Sequence, residues 1–455
     1  MEMVLEFLRD VLSQPALLIG IMSCVGLVAM GRPFHKVMTG TLKPILGYLM
    51  LAAGAGVIVN NLDPLGKMIE HGFHITGVVP NNEAIVAVAQ KVLGVETMSI
   101  LVAGLVINLI IARITKFKYV FLTGHHSLFM ACLMSAVLGT AGLSGMELIL
   151  VGGFLMGAWS AISPAIGQGY TAKVTDGDEI AMGHFGSLGY YLSAWVAKFV
   201  GSPKDSTEDI AIPESLGFLR DSTLSTALTM IVFYLVAAIA AGSEFVATLS
   251  GSMSPFLYAI MSAMNFAVGV AIVYSGVRMI LAELIPAFQG IATKIIPKAI
   301  PAVDCAVFFT YAPTAVVLGF ISSFIGGIIG MLILGAVGGV LIIPGLVPHF
   351  FCGATAGIYG NATGGRRGAA LGAFINGLAI TFLPALALPV LGQLGFQNTT
   401  FGDADFAVIA LTVGHMYEWI GRTGIYAIVG LAAIVLLVPN FIKTKGDVIN
   451  YVEEE

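Results

Sequence analysis

The chain has 455 residues, of which 57% are hydrophobic and only 10% charged, with a mean hydropathy of +0.95 and a formal net charge of −5. Soluble domains carry about a quarter charged residues, so an ordinary soluble protein of this length is excluded. The charge is spread along the chain with no basic tract, which argues against a nucleic-acid partner, and the 56 glycines suit helices that approach closely in lipid.

In chain order, "MEMVLEFLRD" lacks the positive leader and cleavage pattern of a signal peptide. Apolar stretches then predict spans at 14–31, 43–60, 97–113, 119–141, 146–168, 223–243, 254–276, 313–336, 338–360, 369–394 and 421–441. Runs near 20 residues cross a hydrocarbon core of roughly 30 Å as helices. The fold class is therefore an all-α polytopic membrane protein of about eleven transmembrane helices, one membrane domain over 1–455. Short loops set its orientation. Arg32, Lys36 and Lys43, then Arg113, Lys116 and Lys118, then Arg366 and Arg367, then Lys443 and Lys445 mark cytoplasmic sides. The first residues fall outside and the carboxyl end inside.

Three stretches interrupt this pattern. Residues 61–96 and 278–312 are broken by Pro64, Pro80, Pro286, Pro297 and Pro301 and carry carboxylates. Irregular backbone at membrane depth needs protein or a watery cavity around it, so both read as re-entrant hairpins lining a cavity. Residues 170–222 form the largest polar insertion, expected on the cytoplasmic side with an amphipathic surface helix near 185–200.

The two hairpins resemble each other. "NLDPLGK" (61–67) aligns with "ELIPAFQ" (283–289), with Gly54 and Gly276 each ten residues before the proline. Glu83 follows Pro64 as Asp304 follows Pro286, within one position, and Gly124 and Gly345 continue the match. Repeat one then covers about 14–168 and repeat two about 254–394, followed by the last span. Five intervening spans give the copies opposite topology, the usual construction of an alternating-access transporter.

Ionisable residues at membrane depth are costly and functional by default. Glu83 and Asp304 are the first candidates, against a capping role. Asn81 and Asn82 offer donors and acceptors to a hydroxyl-rich ligand, or serve as turn residues after Pro80. Of "HH" at 125–126, His125 is preferred for the site over its neighbour, against an interfacial position. His184 is a further candidate, and His349 and His415 weaker ones. The four cysteines lie apart on apolar segments, without CxxC, HExxH or a His/Cys ligand set. No metal or cofactor is expected. A P-loop is absent, so the chain hydrolyses no nucleotide through one.

"GVVPNNEAIVAVAQ" (77–90), "KFKYVFLTGHH" (116–126), "VTDGDEIAMGHF" (174–185), "IPAVDCAVFFTYAPTAV" (300–316) and "LIIPGLVPHFF" (341–351) occur in order along nearly the whole chain. Together they resemble the ascorbate-type enzyme IIC permeases of the bacterial sugar phosphotransferase system. The resemblance implies a homodimeric inner-membrane permease with a transport core and a dimerising scaffold. It implies uptake of L-ascorbate coupled to phosphorylation by a phosphocysteine on a separate enzyme IIB, loaded by enzyme IIA. His125, His184 and Asp304 match residues expected to contact substrate, with Asn81, Asn82 and Thr123 serving hydroxyls and Asp304 or a neutral histidine as base. Phe185 and Glu83 stand where the family pattern has glutamine and an aromatic residue, which leaves a related sugar acid or polyol open as substrate. Lys116, Lys118, Lys173 and the 170–222 insertion are docking candidates for enzyme IIB. The rival reading is a proton- or sodium-coupled secondary transporter using Glu83 and Asp304; a membrane sensor or scaffold ranks third.

Overall fold

Backbone polar groups in lipid have no water to bond, so long apolar segments satisfy themselves as helix. The computed structural model describes residue 11 and residues 14–74, 77–78, 80, 82–177, 180–210, 222–392 and 400–441. Its elements run α1 (Pro15–Ala29), α2 (Phe34–Phe73), α3 (Asn82–Ile114), β1 (Tyr119–Phe121), α4 (Gly124–Thr140), α5 (Gly145–Val174), β2 (Ala181–Met182) and α6 (Ser187–Ala197). Then follow α7 (Ser222–Ala241), α8 (Ser243–Ser250), α9 (Pro255–Lys294), β3 (Ile300–Val303), α10 (Pro313–Ala336), α11 (Leu346–Gly392), α12 (Ala404–Ile420) and α13 (Arg422–Leu437).

Among the described residues, seven helical segments are long and apolar enough to cross a membrane, or eight if α7 and α8, bent by 118°, form one broken span. The expected count of about eleven differs for local reasons. Residues 119–141 divide into β1, a turn and the 17-residue α4, and α1 is only 15 residues long.

Pro64 and Pro286 do not open hairpins. Each lies inside a continuous 40-residue helix, α2 or α9, and the chain leaves helix only after Phe73 and Lys294. An internal proline removes one N–H and crowds one carbonyl, a local loss that a long, packed helix absorbs. The chain therefore leaves helix later than the prolines suggest, after Phe73 and Lys294, and 300–303 pairs as β3.

α11 breaks at Gly364 and at Gly365, whose φ of 60° a side chain would resist. Its halves fold back closely enough that a Cβ on Gly360 would come within 2.4 Å of the Gly368 carbonyl oxygen. This turn carries Arg366 and Arg367 and matches the predicted gap between spans 338–360 and 369–394. The segment after α6 packs on it, with Arg366 N donating to Asp205 O at 2.8 Å.

α6 is not a surface helix. Ser187, Tyr190, Ser193, Ala194 and Ala197 are buried, while Trp195 and the following Phe199 are exposed.

Two apolar cores flank a small parallel sheet of order β1-β3-β2. Its register pairs Tyr119 with Ile300, Val120 with Pro301, Phe121 with Ala302, Ala181 with Ala302 and Met182 with Val303. Side chains alternate across it, as a pleated strand requires. Val120, Met182 and Val303 join the core that includes residues of α2, α9, α10 and α11. Tyr119, Phe121, Ala181 and Ala302 join the core of α3, α4, α5, α12 and α13.

The two halves share dimensions and contacts. α2 and α9 each contain 40 residues. Gly47 and Gly54 have counterparts Gly269 and Gly276, 222 positions later. A Cβ on Gly54 would meet Gly269 O at 2.7 Å, and one on Gly276 would meet Gly47 O at 2.5 Å. Exchanging the halves exchanges these two contacts. A parallel bridge between Val78 and Ile342 similarly corresponds, one residue out of register, to the β3–β1 pairing.

Candidate functional site

Parallel strands deliver their carboxyl ends to one side of a sheet, and here those ends carry the polar residues. β1 leads into Thr123, His125 and His126, β2 into His184, and β3 into Asp304. Residues scattered over 180 positions of sequence thereby reach one place. The adjoining cavity is lined by Tyr48, Thr123 and Asp304 together with Ile19, Leu51, Leu122, Ile280, Val303 and Val307. It lies between the sheet and the helices α1, α2 and α9.

Asp304 is buried, and its Oδ1 accepts the Ala306 N–H at 3.0 Å, capping the short 3-10 turn 305–310. Its Oδ2 lies 3.3 Å from His125 Nε2. The other nitrogen, His125 Nδ1, is 3.1 Å from the Tyr48 hydroxyl. His125 remains 38% exposed at its side chain, whereas His126 and His184 are buried. The Thr123 hydroxyl is buried beside Asp304 and has no hydrogen-bond partner among the described residues.

His126 and His184 face each other with ring centroids 3.7 Å apart. Phe185 N donates to His126 Nδ1 at 3.3 Å, and Gly186 N donates to His184 Nδ1 at 3.1 Å. The Tyr190 hydroxyl is also 2.8 Å from His184 Nδ1. The preference for His125 over its neighbour therefore divides: His125 meets Asp304, and His126 meets His184.

Phe185 does not turn its ring to the cavity. The ring is buried, stacked on Phe121 at 4.6 Å and edge-on to Phe406 at 5.7 Å. What it offers the site is its backbone N–H. Asn82 uses its amide between neighbours: Oδ1 accepts Gly402 N at 2.9 Å, and Nδ2 donates to Asp403 Oδ2 at 2.6 Å. Asn81 and the side chain of Glu83 lie outside the described residues, although Glu83 falls in the first turn of α3. The structure thus brings Thr123, His125, His184 and Asp304 together and leaves the Glu83 pairing open.

Asp403 and Asp405, in "FGDAD", escaped the sequence reading although two acids in such a sparsely charged chain gave a signal. Asp403 accepts the Cys352 thiol at 2.8 Å and lies 4.0 Å from His184. Asp405 is buried and accepts Ser187 Oγ at 2.9 Å, Leu188 N at 2.9 Å and Trp159 Nε1 at 3.2 Å. Its role is to fasten α12 to the start of α6. Tyr48 and Tyr190 looked like helix apolar positions and carried no signal. His349 is a satisfied core histidine bonded to Ser323 Oγ at 2.9 Å, and His415 pairs with exposed Glu418.

Two triads, His126–His184–Asp403 and His184–Asp304–Cys305, each bring ligand-type atoms within 4.8 Å of one another. Spacing along the chain concealed both, because each joins residues from segments far apart in sequence. Cys352, Tyr190 and the backbone of 185–186 already hold Asp403, His184 and His126 by hydrogen bonds, and Ala306 N holds Asp304.

A family model described as the PTS system sugar-specific permease component (EIIC-GAT) matches residues 10–405. The chain belongs to this family. It is similar to the "Ascorbate-specific PTS system EIIC component" of Mycoplasma pneumoniae, 26% identical over 462 aligned positions that cover 88% of this chain and 68% of that one. The permease is thus a multi-pass membrane component of a sugar phosphotransferase system, a family role that implies a sugar substrate and an enzyme IIB partner.

Proposed function

We propose that the permease imports L-ascorbate, or a related sugar acid, and presents it to the phosphocysteine of a cytoplasmic enzyme IIB. The observation carrying this reading is the convergence of Thr123, His125, His126, His184 and Asp304 at the ends of three parallel strands. Ascorbate is an enediol lactone with one negative charge at neutral pH and several hydroxyls. Imidazole donors suit its enolate side. A carboxylate acceptor suits a hydroxyl, and the nearby histidine offsets repulsion between Asp304 and the anion.

In the transfer step, a substrate hydroxyl oxygen bonds to phosphorus as the P–S bond breaks. The thiolate leaves on enzyme IIB, and the hydroxyl proton passes to Asp304 or to a neutral histidine. Catalysis rests on in-line positioning and proton removal. Lys116, Lys118 and Lys173 with the polar segment after α6 form the docking side.

The halves act as inverted repeats, with the segments that follow α2 and α9 entering the membrane from opposite sides and Glu83 opposite Asp304. The reciprocal glycine contacts of α2 and α9 support this. The cavity between the sheet and α1, α2 and α9 supports a transport core moving against a dimerising scaffold. The permease sits in a bacterial inner membrane as a homodimer, amino terminus outside and carboxyl terminus cytoplasmic.

Proteoliposomes distinguish this from ion-coupled transport. Accumulation of phosphorylated product that depends on phosphorylated enzyme IIB is the expected result. Accumulation of unmodified ascorbate under a proton or sodium gradient, without enzyme IIB, overturns it.

A further inference from the structure

The backbone turn after β2 treats two histidines alike. Phe185 N points its hydrogen at His126 Nδ1, and the next amide, Gly186 N, points its hydrogen at His184 Nδ1. An amide N–H bonds only to a nitrogen with a free lone pair, so neither Nδ1 holds a proton. In a neutral imidazole the proton then sits on Nε2. Double protonation would set an Nδ1–H against an amide N–H in a buried space, where an unmade or repulsive polar contact is most costly. The Tyr190 hydroxyl adds a second donor to His184 Nδ1 at 2.8 Å. Its competing contact, Cys352 Sγ at 3.5 Å, is longer, and that thiol itself donates to Asp403. Gly186 N and the Tyr190 hydroxyl thus share the one lone pair of His184 Nδ1, while His126 Nδ1 accepts from Phe185 N.

Among the described residues, Nε2 of neither ring has a hydrogen-bond partner in the protein, in contrast to His125, whose Nε2 meets Asp304. We infer that the 184–186 turn locks His126 and His184 as neutral Nε2–H donors, so that a ligand held at Asp304, within 4.8 Å of which His184 brings a ring nitrogen, must present an acceptor oxygen to His184 and a hydroxyl to Asp304. Discrimination is built into the backbone and does not depend on which side chain follows His184. That explains how Phe185 is accommodated: its amide sets the His126 tautomer, and its ring is free to pack against Phe121. The identity of the ligand rests on the functional reading above; the tautomers do not.

The full chain labelled with 15N-histidine and studied by NMR without ligand tests the tautomers directly, with His126→Gln and His184→Gln used to assign the signals. Both rings are expected to show an unprotonated Nδ1 and a protonated Nε2. A protonated Nδ1 on either ring overturns the inference. Binding tests its consequence. Glutamine places an amide near the Nε2 position and asparagine near Nδ1, so His184→Gln should hold L-ascorbate at least about tenfold more tightly than His184→Asn, one donor hydrogen bond being worth about 1.4 kcal/mol. Ascorbate methylated on its enolate oxygen should bind the unsubstituted permease at least about tenfold more weakly than ascorbate. Equal binding of the two substituted proteins, or of the two ligands, overturns the donor role. Failure of the permease to bind ascorbate, with both rings shown as Nε2–H, defeats the functional reading and leaves the inference intact.

Discussion

Asp304→Asn separates the two oxygens of one carboxylate. Oδ1 caps the 305–310 turn through Ala306 N at 3.0 Å, and an asparagine Oδ1 keeps that bond. Oδ2, beside His125 Nε2 at 3.3 Å, becomes an NH2 that no longer accepts a ligand hydroxyl. His125 adapts by changing tautomer, because the Tyr48 hydroxyl at its Nδ1 both donates and accepts. Folding is therefore kept. A hydrogen bond to a charged group is worth about 1.5–3 kcal/mol, so ascorbate should bind about 10- to 150-fold more weakly. The proton acceptor for transfer is lost as well, and uptake should fall further than binding. Labelled ascorbate on purified protein measures the first effect, and uptake in cells containing enzyme IIB the second. Normal uptake, with the variant present in the membrane at the usual level, would remove Asp304 from the mechanism.

Thr123→Val deletes a buried hydroxyl that has no partner among the described residues, so thermal stability in detergent should not fall, whereas ascorbate affinity should drop about 2- to 13-fold. Lower stability with unchanged affinity would refute a ligand role. Asp405→Ala strands the buried Ser187 hydroxyl, at about 1–3 kcal/mol, and the half-buried donors Leu188 N and Trp159 Nε1, and should lower the melting temperature; an unchanged melting temperature would contradict the fastening role. Glu208 accepts Thr314 N and Ala315 N at the start of α10, so Glu208→Ala should cost about 0.5–2 kcal/mol locally and speed amide exchange in that first turn. Unchanged exchange there would sink the cap. Gly276→Leu and Gly54→Leu should both reduce the folded, monodisperse yield, since each wedges apart the same pair of helices at an equivalent contact. Tolerance of both would show that α2 and α9 do not need their close approach.

The local rules read well where one segment decides its own fate. Low charge and apolar runs marked the helices, and the gap at Arg366 and Arg367 fell where α11 turns on Gly364 and Gly365. They failed where neighbours decide. Pro64 and Pro286 looked like breaks, yet α2 and α9 pass through them. The polar residues near 185–200 suggested a surface helix, but α6 is buried because Asp405 and the core behind it satisfy its backbone and side chains. Residues 119–121 and 300–303 read as parts of a span and a hairpin, respectively. Three short strands cannot be seen singly, because each gains its hydrogen bonds only from the others.

The sequence by itself determined the solvent, the helical class, the family and most of the polar residues worth suspecting, since transfer free energy and motif chemistry depend on composition and local order. Only the tertiary structure decided which of those residues meet. The parallel pairing of β1, β2 and β3 sets His125 against Asp304 and His126 against His184 and turns Phe185 inward, while the meeting of α3, α11 and the start of α12 brings Asp403 to both Asn82 and Cys352. The physical reason is that a hydrogen bond acts over about 3 Å and has direction, so its partners are fixed by where distant strands end and not by how many residues lie between them.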